Sequence, residues 1–555
     1  MRSKWSVLAV LAAAQFLMVL DQAVMNVSIS QLVADFDTTV TTIQVVIAFY
    51  ALVMAALMIT GGKLGDLWGR RRAFTIGLVV YACGSALTAA SWSVPTLMLG
   101  WSVLEGIGAA MVLPALVALA AGNYRGADRA VVYGVLGGVA GAGIAVGPII
   151  GGWATTDLSW RVVFAGEVVI AAFILAGTRL MREPERTDAP PRLDWVGSVL
   201  VALGLGLLVV GVLQASNWGW LRPHNSPVEP FGFALTPFVI AAGVLVLFGF
   251  RGWQRHREES GRDPLVHLGL FRIGALRSGL AMLFAQNLIL MGIFFTVPLY
   301  LQIVNGLDAL DTGVRMLPAS IGLFVAALAG SGLSAKMAAR PIVRIGLAIT
   351  FAATLLLLGT VEPELDTSAF LVAMGLLGIG MGLVTSQLGN VVQSAVGEEA
   401  RSEAGGLQNT SMQIGSSFGT ALLGAIVITG LIAAFSNNIE ADQNLPRDVR
   451  SRVETRISAG TSFVAADQVR RSAERAGVSS QSVDRIVSSY EDAQLTALKT
   501  AFLFAAALVL LAGLATRRLP TRRFEELASQ GAGRGPPEVP PVSPRTDDAA
   551  PAGRA

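Results

Sequence analysis

The sequence predicts an all-α polytopic membrane protein with fourteen transmembrane helices and both termini in the cytoplasm, and three observations predict it. Of 555 residues, 53% are hydrophobic and only 14% charged, where an ordinary soluble protein carries roughly a quarter charged residues. Apolar runs of the ~20 residues that a helix needs to cross a ~30 Å hydrocarbon core recur down the whole chain. Lys and Arg gather on alternate sides of those runs, as the positive-inside rule requires of cytoplasmic loops.

The runs fall near residues 5–30, 42–62, 73–91, 95–121, 131–154, 162–180, 196–215, 233–250, 278–302, 317–333, 341–360, 369–391, 404–435 and 497–516. Met1-Arg2-Ser3-Lys4 before the first run resembles a signal peptide, but the apolar stretch continues through Ile29 and further runs follow, so it reads as a first span. With the N-terminus inside, the short inner segments hold 22 Lys and Arg, among them Lys63, Arg70, Arg71, Arg72, Arg251, Arg340 and Arg344. The short outer loops hold three, Arg161, Arg222 and Arg315, together with nine acids such as Asp35, Glu362 and Asp366.

Other classes lose support. Basic residues punctuate apolar runs instead of clustering along a helix or patch, which excludes a nucleic-acid reader. The one cysteine, Cys83, allows no intramolecular disulfide. His224, His256 and His267 fit no zinc spacing. No nucleophile–base pair, metal-ligand set or phosphate-binding Gly loop appears, so neither an enzyme nor ATP drive is expected, and no cofactor.

An internal repeat organises the spans. Gly106-Ile107-Gly108 recurs as Gly378-Ile379-Gly380, and the same offset lays Gly143 on Gly415 and Gly147 on Gly419. The fourth run thus matches the twelfth and the fifth the thirteenth, which gives two six-helix halves separated by an inserted helix pair. Parallel repeats of this kind place substrate near the membrane midplane between the halves. The expected divisions are an N-terminal half at 1–190, the inserted pair with its linkers at 191–275, the first five helices of the second half at 276–436, an extracytoplasmic helical cap at 437–495, the last span at 496–516 and a disordered cytoplasmic tail at 517–555. In the cap, Val449, Val453 and Ile457, and later Val483, Ile486, Val487 and Tyr490, repeat at helical spacing; the tail is rich in Pro, Gly and Ala.

Apart from Arg179, Arg344 and Lys499 within three residues of run ends, the runs hold no Lys or Arg and only three carboxylates: Asp21, Glu105 and Glu167. An ionised group at the bilayer centre costs at least ~2.5–3.5 kcal/mol on insertion scales, so each needs a polar cavity, a partner or a proton. Glu167, about six residues (~9 Å) from the outer end of its run, is expected to reach the interface. Asp21 and Glu105 lie deeper and are the candidates for proton coupling. Polar groups deep in the runs, Gln15, Gln22, Asn26, Gln286, Asn287, Gln387 and Gln413, are candidates for a substrate cavity; Gln15, Gln22 and Asn26 share one helical face. Interhelical hydrogen bonding is the alternative role for each.

The inner loop between the second and third runs reads Gly61-Gly62-Lys63-Leu64-Gly65-Asp66-Leu67-Trp68-Gly69-Arg70-Arg71-Arg72. Gly62, Gly65, Asp66, Gly69, Arg70 and Arg71 match, in register, the signature loop of the major facilitator superfamily. In the fifth run Gly143, Gly147, Pro148, Gly151 and Gly152 resemble the signature of its exporter and antiporter branches. Leu20-Asp21-Gln22-Ala23-Val24-Met25-Asn26-Val27 is similar to the first-span motif of the fourteen-span drug:proton antiporter group, and Trp160-Arg161, Asp263-Pro264-Leu265 and Pro298-Leu299-Tyr300 also follow that group. The resemblance covers roughly residues 10–435. It implies a major facilitator fold, an inner gate in which Asp66 pairs with Arg70, and an exporter in the cell membrane driven by the proton gradient. The fourth run departs from the family, having Ser102-Val103-Leu104-Glu105-Gly106 where Arg, two residues, Gln and Gly are usual.

The reading that follows is proton-coupled export of hydrophobic or amphipathic small molecules, such as drugs, antibiotics or secondary metabolites, by a monomer working among membrane lipids without nucleic acid or nucleotide. Export of lipids or lipid-linked molecules on the same fold is a second reading, kept open by the absent Arg at position 102. A transport-inactive sensor or assembly partner using the outer segment is a third.

Overall fold

In the computed structural model every expected run is a helix, and fourteen helices are long and apolar enough to cross a membrane. The structure describes residues 5–124, 126–183, 193–223, 226–334, 336–397, 400–458 and 463–521. The expected tail beyond 521, the Met1–Lys4 start and His224 lie outside the described residues. Membrane helices of the first half are α1 (Ser6–Val27), α2 (Val40–Trp68), α3 (Arg70–Ala89), α4 (Val94–Leu97, the π-helical Met98–Glu105 and Gly106–Asn123), α5 (Gly126–Trp153) and α6 (Trp160–Gly177). The inserted pair is α7 (Trp195–Trp218) and α8 (Thr236–Glu259). Then follow α9 (Gly274–Pro298), α10 (Ala309–Leu333), α11 (Ala339–Gly359), α12 (Thr367–Ser394) and α13 (Arg401–Ala441), two shorter helices α14 (Arg447–Ser458) and α15 (Ala466–Arg475), and α16 (Ser480–Ala515).

Short polar side chains start several of these helices by accepting from otherwise unpaired backbone N–H groups. Thr39 caps α2 through Thr42 N, Asp308 caps α10 through Asp311 N, and Asp366 caps α12 through Ser368 N and Ala369 N. Gly69, at φ +102°, separates α2 from α3 in a conformation that favours glycine.

The repeat is visible in the packing. A methyl on Gly108 would sit 2.7 Å from Gly77 O of α3, and one on Gly380 the same 2.7 Å from Gly346 O of α11. Gly106 meets Tyr50 and Val53 of α2, and Gly378 meets Ala319 and Leu323 of α10. Gly143 and Gly147 receive Val19 and Ala23 of α1, while Gly415 and Gly419 receive Phe284 and Leu288 of α9. Without a hydrophobic force between helices in lipid, such backbone approaches carry much of the helix association. Each half is thus assembled by the same glycines in the same roles.

The inserted pair packs through α7 on the seam between halves. Leu205, Val209, Val212 and Leu213 bury against Ala48 and Leu52 of α2 and Ala421 of α13, and Ser198 Oγ lies 2.9 Å from Thr60 Oγ1. Asp194 before α7 accepts from Gly197 N, Trp253 Nε1 and Gln254 Nε2 at 2.8–2.9 Å, which locks the start of α7 to the end of α8. Burial alone would raise the Asp194 carboxyl; those three donors and Arg257 bring it below the ordinary carboxylate value.

Among its described residues the 437–495 segment is mainly helical, and it is framed by the membrane helices themselves. α13 runs on for 41 residues and α16 for 36, because Asn438, Ile439, Val483, Ile486, Val487 and Tyr490 keep the helical pattern beyond the apolar runs. Tyr490 Oη accepts from Val464 N at 2.9 Å, its ring meets Phe435 at 5.3 Å, and Gln494 donates to Val464 O. Phe463, Val449 and Ile486 are buried beneath this joint.

Candidate functional site

Two ends of the bundle are distinguished by what they carry: the gate loop around Gly69 at one, the 437–495 cap at the other. At the cap end the halves are joined by direct hydrogen bonds. Gln44 Nε2 of α2 donates to Thr420 O and Ala421 O of α13 at 2.9 Å, and Ser417 Oγ donates to Ala48 O at 2.7 Å. Gln302 Nε2 donates to Val27 O at 2.8 Å, and Leu310 N to Thr156 Oγ1 at 3.1 Å.

The fifth-helix glycines serve this seam with two faces. Gly143, Gly147 and Gly151 turn to α1, where Val19, Ala23 and Val24 fit against them. Pro148 and Gly152 turn to α10: a methyl on Gly152 would lie 2.8 Å from Leu310 Cα, and Gly313 backs onto Pro148 O. Helix contact within the half and helix contact between halves therefore come from one glycine-rich segment.

At mid-depth Met54 of α2 collects two of the candidate cavity residues. Gln22 Nε2 lies 3.7 Å from its sulfur and Gln413 Nε2 of α13 lies 2.8 Å from it, so this thioether is a polar node where the halves meet. Asn26 Nδ2 donates to Gln22 O and Asn287 Nδ2 to Leu283 O, each within its own helix. Gln15 is half-buried. Gln286 donates to Thr385 Oγ1 of α12, and Gln387 to Gly330 O of α10 at 2.8 Å; both are buried in contacts inside the second half.

Arg70 pairs with Asp66 one helical turn away across the Gly69 break, and its Nη1 donates to Gly62 O at 3.1 Å. Gly65 leaves room for the Arg70 side chain, whose Nη1 a methyl there would approach to 3.2 Å. Arg71 contributes its backbone N–H, which donates to Glu183 Oε2 at 3.1 Å. Glu183, beside Gly69 and at the positive end of α3, escaped the sequence reading; an acid just after the sixth run, opposite an Arg-opened helix, was the available signal.

Lys63 of the gate loop donates to Pro264 O. Three residues on, His267 donates its N–H to Glu403 Oε1 at 2.6 Å and sets Nδ1 2.8 Å from Oε2, while Gln254 Oε1 accepts from Leu265 N at 2.7 Å. The 263–268 linker is thereby strapped to both halves at the gate end. The hydrogen bond to Glu403 raises the His267 imidazole above its ordinary value.

The three membrane acids converge. Asp21, Glu105 and Glu167 are 0%, 0% and 1% exposed, and one oxygen of each lies within 4.8 Å of the others. This corrects the expectation that Glu167 reaches the interface: α6 turns it inward, where Tyr81 Oη and Ser85 Oγ of α3 donate to its Oε2 at 2.9 and 3.2 Å. Thr88 Oγ1 donates to Glu105 Oε1 at 2.9 Å, and Trp101 Nε1 to Asp21 Oδ1 at 2.7 Å. Trp101 also stacks on Tyr50 at 4.4 Å, covering Asp21. Glu105 closes a π-helical stretch, a wide turn of the sort found at functional positions. Ser102, where the family has Arg, is tied to Val46 O at 2.8 Å, so the donors around the triad are all neutral.

Asp21 Oδ2, Glu105 Oε2 and Glu167 Oε1 have no hydrogen-bond donor among the described residues. Two unit charges 4.8 Å apart repel by about 3.5 kcal/mol at an effective dielectric of ~20, so three carboxylates in this cage require protons or a hard cation between them. Trp101 and Tyr50 stack over Asp21, and all three acids are closed off from solvent in this state.

Comparison with known proteins agrees with this architecture. The Major Facilitator Superfamily family model matches residues 11–420. The tetracenomycin C resistance and export protein of Streptomyces glaucescens is 30% identical over 445 residues, 80% of this chain and 79% of that one. The multidrug efflux pump LfrA of Mycolicibacterium smegmatis is 28% identical over 465 residues, 83% and 88% of the two chains. Among solved structures, an inward-facing, unoccupied bacterial homologue of the human lysosomal transporter Spinster aligns with a TM-score of 0.58 at 14% identity, covering 94% of this chain and 98% of that one. A D-xylose–proton symporter aligns at 0.57 and 12%, covering 93% and 98%, so at this identity both show the fold alone. A motif-bearing loop around Gly69, glycine joints repeated within each of two six-helix halves and a match across most of the sequence make this chain a member of the Major Facilitator Superfamily, a transporter family and not an enzyme family.

Proposed function

We propose that the chain exports small amphipathic molecules, such as drugs, antibiotics or secondary metabolites, across the cell membrane in exchange for protons. The termini and the gate loop lie in the cytoplasm, as the distribution of Lys and Arg favours. The observation that carries the reading is the buried acid cluster without a basic partner, one helix away from a seam sealed at the cap end. The export proteins among its relatives support the same cargo class.

In the sealed state cargo enters from the gate end and rests near Met54, Gln22 and Gln413. Protonation of Asp21 and Glu105 from the cap side removes charge from the first half; cargo release and proton uptake bias one another because each alters the balance of the two states. Asp66, Arg70 and Lys63 are placed to close the gate end when the cap end opens. The carrier acts as a monomer within the lipid.

The test is efflux of ethidium from proteoliposomes under an imposed pH gradient, for the wild type, Asp21→Asn and Glu105→Gln. Gradient-driven efflux in the wild type, lost or uncoupled in both variants, is expected. Efflux indifferent to the gradient, or unaltered in both variants, refutes proton exchange. Altered envelope lipid composition without dye efflux on deletion in the host would point to the lipid reading instead.

A further inference from the structure

We propose that Glu167 is a third exchanging group of the coupling site, so that Asp21, Glu105 and Glu167 hold their protons in common as one store. This rests on the proton-driven reading above and extends it to a helix that the first-span motif does not touch.

Each carboxyl has one oxygen held by neutral donors and one held by none. The held oxygens fix the three groups in place: Trp101 on Asp21, Thr88 on Glu105, Tyr81 and Ser85 on Glu167. Asp21 Oδ2, Glu105 Oε2 and Glu167 Oε1 are left bare, and one oxygen of each carboxyl lies within 4.8 Å of the others. A fourth group points to the same occupant. Tyr50, 1% exposed on α2, sets its hydroxyl beside the Asp21 carboxyl and interacts there with the acids. A phenol and three carboxyls in a dry cage lack only shared hydrogens.

The titratable groups facing the cage are, from each packed helix, Asp21 of α1, Tyr50 of α2, Tyr81 of α3, Glu105 of α4 and Glu167 of α6. None supplies positive charge, and Ser102 supplies none where the family has Arg. Protons must therefore do what a guanidinium does elsewhere. Two protons on the three carboxyls leave a single negative charge in the set; a third discharges it. Exchange makes and breaks only O–H bonds, a proton leaving one carboxyl as another arrives. Taking the Glu167 carboxyl out of the set removes one exchangeable proton and leaves the held oxygen with its partners.

The experiment uses the full chain in proteoliposomes with ethidium as cargo, the membrane potential clamped, and the proton:ethidium ratio read from the pH gradient that just reverses ethidium flux. Glu167→Gln, whose amide oxygen still accepts from Tyr81 and Ser85, is expected to lower the ratio by one proton and to shift the pH midpoint of transport, with ethidium affinity unchanged; Glu167→Asp is expected to restore both. A wild-type ratio and pH profile in Glu167→Gln overturns the proposal. Infrared pH-difference spectra of the wild type and Glu105→Gln decide the matter if Glu167→Gln does not fold: a Glu167 carboxyl band displaced by Glu105→Gln supports a shared store, and a band that ignores it refutes one. Ethidium flux driven by sodium in the absence of any response to pH would reassign the cage to a metal cation and overturn it as well. If the wild type moves no ethidium under any gradient, the export reading fails, while the infrared arm still tests the shared protons.

Discussion

Gly152→Ala should shift the protein away from the state sealed at the cap end. A methyl there meets backbone, not a flexible side chain: 2.5 Å to the Ala309 carbonyl oxygen and 2.8 Å to Leu310 Cα, where ordinary contact begins at 3.4 Å. α5 and α10 must part by about 0.9 Å, and overpacking a tight site costs roughly 1–3 kcal/mol. All of that cost falls on the sealed state, because the contact joins the two halves. A bias of this size moves a two-state balance about 5–150-fold. The assay is labelling of a cysteine at Val27, which is buried beneath Gln302, by a membrane-impermeant maleimide, with the exposed Cys83 replaced by serine. Labelling should rise by about that factor in Gly152→Ala. Gly137→Ala is the control: nothing lies within 4 Å of its methyl, and it should only gain up to ~1 kcal/mol of helix propensity. Equal labelling in the wild type and Gly152→Ala would refute the two-faced reading of α5, as would a rise of the same size in Gly137→Ala.

Further outcomes are expected elsewhere. Arg70→Ala removes the partner of Asp66 and the cover of Gly62 O, and should raise maleimide access at the gate end while slowing efflux at least several-fold. Gly69→Ala forces a side chain into φ +102° and places a methyl 2.9 Å from Glu183 Oε1; a loss of about 1–2 kcal/mol should appear as a lower melting temperature in detergent. His267 has a raised value in the folded chain, so its contribution to the strap is complete below the ordinary histidine value of ~6.5 and is lost as pH rises through the raised one. Protection of 263–268 against hydrogen exchange, relative to the intrinsic base-catalysed rate at each pH, should fall over that window, and His267→Gln should abolish this change in protection. Asp194 is lowered, so its contribution is present above the ordinary carboxylate value and is lost as pH falls through the lowered one; Asp194→Ala should loosen α7 from α8 and remove this acid-side loss of thermal stability.

What the sequence could carry was whatever periodicity, charge and spacing encode. Fourteen spans, the inserted pair and the repeat were legible because lipid forces each apolar run to satisfy its backbone as a helix, and because Gly106 and Gly378 must each admit a neighbouring backbone. Glu167 was misplaced because depth along a helix says nothing about direction around it: α6 happens to turn that residue toward Tyr81. Trp101 was invisible as a donor, since an indole in an apolar run looks like core until Asp21, eighty residues earlier, is brought against it. Gln387 and Gln413 read alike in sequence, yet one reaches a backbone carbonyl within its half and the other reaches across the seam to Met54. Long-range partners decide such cases, and one chain read alone does not supply them.

The continuous α13 has a mechanical consequence. Forty-one helical residues span ~62 Å, about twice the ~30 Å hydrocarbon thickness, and this rod belongs to the second half while its flank lies along α2 of the first. With Tyr490 and Asn438 fastening its far end to α16, the cap is carried at the tip of a stiff arm whose fulcrum is the seam. A rocking of only about 10° would swing that tip by ~5 Å as a rigid body. The position of the cap is then tied mechanically to the angle between the two halves.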